Sequence, residues 1–153
     1  FVSLGFAIVA LSGLLTQLLL VDRYTFNPKI LVITGITLMA GVFYLLSNTS
    51  EIIWFYLLLM IYGFGGGLAR PGNVSILSLS VNKDEQGAAS GLMGTVFPLG
   101  HLITPFSIMP LYMMDPSFPY LLISILGLFL IVYMFYNQKL FFNFINLEER
   151  KNV

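Results

Sequence analysis

Gly63-Phe64-Gly65-Gly66-Gly67-Leu68-Ala69-Arg70-Pro71-Gly72-Asn73 lies inside an apolar run that reads without a break from Ile52 to about Leu79. As a helix that run is roughly 42 Å long, ample to cross a hydrocarbon core of about 30 Å with tilt. Arg70 then sits within the bilayer, about 15 Å from the nearer end of its helix. A charge at that depth is costly unless it meets protein, water or a partner, which makes Arg70 the first candidate functional residue. Its guanidinium cannot lose its proton, so it needs a carboxylate, carbonyls, water or an anionic group. The competing reading is a long side chain snorkelling to the nearer interface. Asn73, three residues on, shares the helix face of Arg70 and is placed to orient it by a hydrogen bond.

Composition gives the same solvent. Of the 153 residues, 58% are hydrophobic and 9% charged, against about 25% charged in soluble domains. The chain is expected to be all-α, a polytopic transmembrane bundle of five spans over residues 1–21, 30–46, 52–79, 86–110 and 120–137, with a tail over 138–153. Without cysteine, disulfides and Cys-ligated metal sites are excluded. The net charge of zero goes with the lack of a basic patch for nucleic acid. The chain opens directly on an apolar segment and not on Met, as expected of a chain truncated at its start.

Before the central span, Ser3, Ala7, Ala10, Gly13 and Gln17 recur at three- and four-residue spacing on one face of the first span, a surface suited to close helix contact in membranes. Gln17 reads either as an amide bonded to a neighbouring helix or as a cavity-lining group. Asp22-Arg23 opens a polar loop that closes at Asn27-Pro28. The second span has only Thr34 and Thr37 as markedly polar residues, whose hydroxyls bond back to their own helix; it is expected to face lipid. Trp54 suits the interfacial aromatic belt.

Beyond the central span, Gly87, Gly91, Gly94, Pro98, His101 and Pro105 form one stripe on the fourth span. The stripe is a close-packing or a bending surface, and in a membrane bundle neighbours and water re-satisfy the backbone groups that proline frees. His101 lies roughly 22 Å along this helix. It reads as a neutral imidazole hydrogen-bonded within the stripe or as a titrating group, histidine being the side chain that changes charge near neutral pH. The fifth span is polar only at Ser124 within its interior and also reads as peripheral. Six of seven basic residues, Arg23, Lys29, Lys83, Lys139, Arg150 and Lys151, fall on one side of the five spans, while Glu51 and Asp115 mark the other. By the positive-inside rule the first side, with the C-terminus, is cytoplasmic.

Several pieces together resemble the major facilitator superfamily, and within it the tetracycline-resistance-like proton-coupled exporters. They are Gly63 through Pro71, Ser78-Leu79-Ser80-Val81 followed by Glu85 through Gly91, Leu99-Gly100 through Thr104-Pro105, and Leu111-Tyr112 with Asp115-Pro116 and Pro119. The resemblance implies a partial major facilitator fold, helices eight to twelve of twelve, with helices nine and twelve peripheral. Asp22-Arg23 stands where the family's second cytoplasmic loop motif lies, with Leu18 in place of its glycine, and Thr104-Pro105 replaces a glycine-proline pair.

What the resemblance implies is a secondary transporter working by alternating access, exporting a small amphipathic compound in exchange for protons, in a bacterial inner membrane. Its partners would be the substrate, protons, lipid and an N-terminal half; no cofactor is implied. Gln17, Arg70, Asn73 and His101 are the candidate substrate or proton pathway, and Gly63, Gly66, Gly67, Pro71, Gly87, Gly91, Gly94, Pro98 and Pro105 the candidate packing or bending positions. The alternative is a noncatalytic membrane subunit whose glycine faces dock a partner. An enzyme is disfavoured, because His101 has no second His, Cys or intramembrane carboxylate to work with.

Overall fold

The computed structural model describes residues 2–23 and 26–137; the tail 138–153, with Lys139, Arg150 and Lys151, lies outside them, as do Tyr24 and Thr25 of the first loop. The described residues form α1 (Val2–Thr16) continued by a π-helical turn (Gln17–Val21), α2 (Pro28–Leu46), α3 (Ile52–Ser80), a 3-10 turn (Lys83–Glu85), α4 (Gln86–Met114) and α5 (Phe118–Tyr136). All five helical segments, α1 taken with its π turn, are long and apolar enough to cross a membrane.

Local chemistry sets the helix starts. Asn27 caps α2 by accepting from the Lys29 amide at 3.0 Å, with Pro28 at a first-turn position where its missing N–H loses nothing. In the 3-10 turn before α4 the Glu85 carboxylate accepts from the Asn82 amide at 3.3 Å, and the Asn82 carbonyl accepts from the Glu85 amide at 3.0 Å. Asp115 accepts from the Ser117 amide at 2.7 Å in the turn before α5. α4 runs past Pro110, the expected end, to Met114. Proline removes one helical hydrogen bond without forbidding helical φ, and Asp115 in extended backbone terminates the helix instead.

Glycine decides how the helices pack. α3 lies between α1 and α2 and touches each through a different set of small residues. Toward α1, a Cβ on Gly63 would fall 2.5 Å from the Val9 carbonyl oxygen and one on Gly67 2.5 Å from that of Gly13. Toward α2, a Cβ on Gly65 would fall 2.9 Å from the Gly35 oxygen, and one on Gly35 2.6 Å from the Gly65 oxygen. Without side chains at these positions, the backbones approach closely enough for dispersion to hold the helices together where water gives no hydrophobic drive. One polar link adds to this: Ser12 donates its hydroxyl to the Met60 carbonyl at 2.7 Å.

The second span is not simply lipid-facing. α2 packs on α3 along one side and on α5 along another, and Leu31, Val32, Gly35, Ala40, Val42 and Leu46 are buried. The smallness of Gly35 and Ala40 makes this possible, Ala40 meeting Gly127 of α5. Thr37 donates to the Ile33 carbonyl of its own helix at 2.7 Å. α4 is the opposite case: none of its residues is buried, and it touches α5 and, at few points, α3.

Candidate functional site

By the 100° step of a helix, Leu59, Tyr62, Gly66 and Arg70 of α3 form one ridge between the sides taken by α1 and α2. Tyr62 is held in place by Phe43 of α2, with ring centroids 5.3 Å apart in an edge-to-face arrangement. At Gly66 a Cβ would meet nothing within 4 Å. Gly66 therefore differs from Gly63, Gly65 and Gly67: it opens space instead of closing it.

The Arg70 side chain is exposed, and its Cζ stands 6.0 Å from the centroid of the Phe97 ring of α4. Phe97 is roughly 16 Å along α4 from Gln86, the depth of Arg70 itself measured from the same end of the bundle. The guanidinium thus lies beside Phe97 of the neighbouring helix. Among the described residues no carboxylate pairs with Arg70 and no hydrogen bond satisfies its donors. A cation over an aromatic ring gains about 0.5–2 kcal/mol, less than the penalty for a guanidinium at the bilayer centre. Phe97 alone does not balance the charge; water or an anion must.

His101 lies one turn beyond Phe97. Its Nδ1 is 2.8 Å from the Phe97 carbonyl oxygen, and since a carbonyl only accepts, Nδ1–H is the donor. Phe97 joins the two candidates, its ring facing Arg70 and its carbonyl holding His101.

The other candidates are placed apart. Asn73 is exposed on the Arg70 side of α3, and no hydrogen bond joins the two; the orienting bond expected from sequence is not formed. Gln17 is exposed, and its backbone carbonyl accepts from the Asp22 amide at 2.9 Å, closing the π turn. Asp22 and Arg23 are exposed at that end, beside a cavity of about 310 Å³ that Phe26, Leu31 and Ser75 also line. Pro71 lies in α3, where it frees the Gly67 carbonyl.

On α4, the space around a Cβ at Gly87, Gly91 or Gly94 is empty. Pro98, Pro105 and Pro110 leave the carbonyls of Gly94, His101 and Phe106 without their helical donors. Thr104 donates to the Gly100 carbonyl at 2.6 Å, a back-bond of the kind that bends helices. Among the described residues no three His, Asp or Glu come together to hold a metal.

Phe97 and Tyr62 were missed in the sequence. The four-residue spacing of Tyr62, Gly66 and Arg70 was the available cue for one; for Phe97 there was only its position one turn before His101.

Five membrane-length helices and close glycine contacts between them define an integral membrane protein of the polytopic helical class. The family model of the Major Facilitator Superfamily matches residues 1–105, so the chain belongs to that superfamily of membrane transporters for small molecules. No curated protein and no solved structure matches the chain.

Proposed function

We propose that the chain is helices eight to twelve of a proton-coupled exporter that carries a small amphipathic compound by alternating access, in a bacterial inner membrane. The loops after α1 and α3, with the C-terminus, would face the cytoplasm, and an N-terminal half would complete the cavity. The observation that carries this reading is the Arg70 guanidinium, which stands beside the Phe97 ring and, among the described residues, meets no carboxylate. α4 supports it as a moving element, because its prolines and open glycines combine with sparse contact to α3. His101, bonded to the same residue that meets Arg70, is the candidate proton carrier.

The test uses the full-length protein in liposomes that contain a pH-reporting dye. A transported compound should move protons in the opposite sense, and Arg70→Gln should abolish that movement. Transport at the same rate with and without a pH gradient would remove proton coupling from the proposal.

A further inference from the structure

The ridge that carries Arg70 continues into a groove. Between α1 and the first half of α3 lies a cavity of about 400 Å³, lined by Phe6, Val9, Phe55, Tyr56, Leu59 and Tyr62 among others, with almost wholly apolar walls. Its volume falls within the range of small-molecule sites, about 300–1,000 Å³. Tyr62 belongs both to this lining and to the ridge, and Phe43 fixes it from behind. The next position along the ridge is Gly66, around whose missing side chain the space is free. One turn further is Arg70, at roughly 12 Å of helix rise from Tyr62.

An apolar trough, an open step and a cation with unspent donors follow one another along a single helix face. We propose that this face binds a lipophilic small-molecule anion, its apolar body in the groove between α1 and α3 and its carboxylate or sulfonate on Arg70. The proposal rests on the transporter reading and names the chemical class of its substrate. Charge complementarity selects an anion, because a cationic substrate lying along this ridge would face the Arg70 guanidinium beside Phe97 at close range. Depth selects a small molecule over a membrane lipid: a phospholipid keeps its phosphate at the surface, whereas Arg70 lies about 15 Å from the nearer helix end. Phe97 adds a flat apolar wall beside the guanidinium. Gly66 is the specificity position, since any side chain there would stand between groove and cation.

Binding is measured separately from transport. Full-length protein in nanodiscs of phosphatidylcholine is titrated with tritiated naphthalene-2-sulfonate, and bound probe is read by scintillation proximity. Saturable binding is expected, weakened at least tenfold by Arg70→Gln and by Gly66→Leu, whose Cβ meets nothing within 4 Å. Unlabelled naphthalenesulfonate should compete and naphthylmethylammonium should not. Lack of saturable binding by folded protein, equal competition by the cation, or unchanged affinity in Arg70→Gln would each overturn the inference. Displacement of the probe by phosphatidylglycerol in the nanodisc would overturn it in favour of a lipid site. If the probe binds as described but no compound moves protons, the site stands and the exporter reading fails.

Discussion

Gly66 and Gly67 are adjacent glycines in the same helix, and the structure predicts opposite responses to the same methyl group. At Gly67 an alanine Cβ would lie 2.5 Å from the Gly13 carbonyl oxygen and 2.9 Å from the Thr16 Cβ. Ordinary contact is near 3.5 Å, so α1 must withdraw by roughly 1 Å, and a gap of that size forfeits a quarter to a half of each affected dispersion contact. Overpacking of this kind costs about 1–3 kcal/mol. Against that stands the gain of about 0.5–1 kcal/mol from replacing glycine within a helix. The net expectation for Gly67→Ala is a loss of about 0–2.5 kcal/mol. At Gly66 nothing lies within 4 Å of the new methyl, so Gly66→Ala retains the helix gain alone, about 0.5–1 kcal/mol of stabilisation.

The difference between the variants is the more robust quantity, because both share the same change in the unfolded chain. SDS titration of the purified full-length protein in mixed micelles, followed by circular dichroism, measures it. Gly67→Ala should unfold at lower SDS than wild type and Gly66→Ala at the same or higher. Equal midpoints for the two variants, or the reverse order, would refute the packing of α1 on α3 described above.

Three further outcomes are expected. Arg70→Lys keeps the charge but lacks the planar fork, so transport should fall well below wild type; wild-type rates in both Arg70→Lys and Arg70→Gln would remove Arg70 from the mechanism. His101→Gln should alter the dependence of transport on pH, as expected of a proton carrier; an unaltered pH profile with normal activity would discard His101 from that role. A cysteine at Asp115 should react with a membrane-impermeant thiol reagent in intact cells and one at Lys83 should not, and the opposite pattern would invert the proposed orientation.

How much of this could be read from the chain follows from what a bilayer makes visible. Each span had to be about twenty residues of apolar chain, because backbone polar groups in lipid are satisfied only within a helix. The helices were therefore legible from hydropathy, and Arg70 stood out because charge is scarce there. Which side of a helix meets protein was far less legible. Lipid tails are as apolar as leucine, so a span packed on two sides and a span bathed in lipid share one composition. That is why α2 read as lipid-facing although Val32 and Val42 are almost fully buried.

Glycine shows the same limit at the scale of single residues. Gly63, Gly65, Gly66 and Gly67 look alike in sequence, yet two seat α1, one seats α2 and one stands open beside Arg70. The stripe on α4 was visible as a period, but period alone does not say whether glycine is present to admit a neighbour or to leave room. Among the described residues, those of α4 leave room. The contact of Phe97 with Arg70 was illegible for a related reason: it depends on the rotation of α4 about its own axis, and an exposed helix rich in glycine and proline carries no apolar stripe that fixes that rotation. The functional consequence lies in that looseness. Under the proposed alternating access, α3, pinned by α1 and α2, would supply the fixed wall that holds the charge, and α4, which touches α3 at few points, would be the helix that changes its distance from that charge.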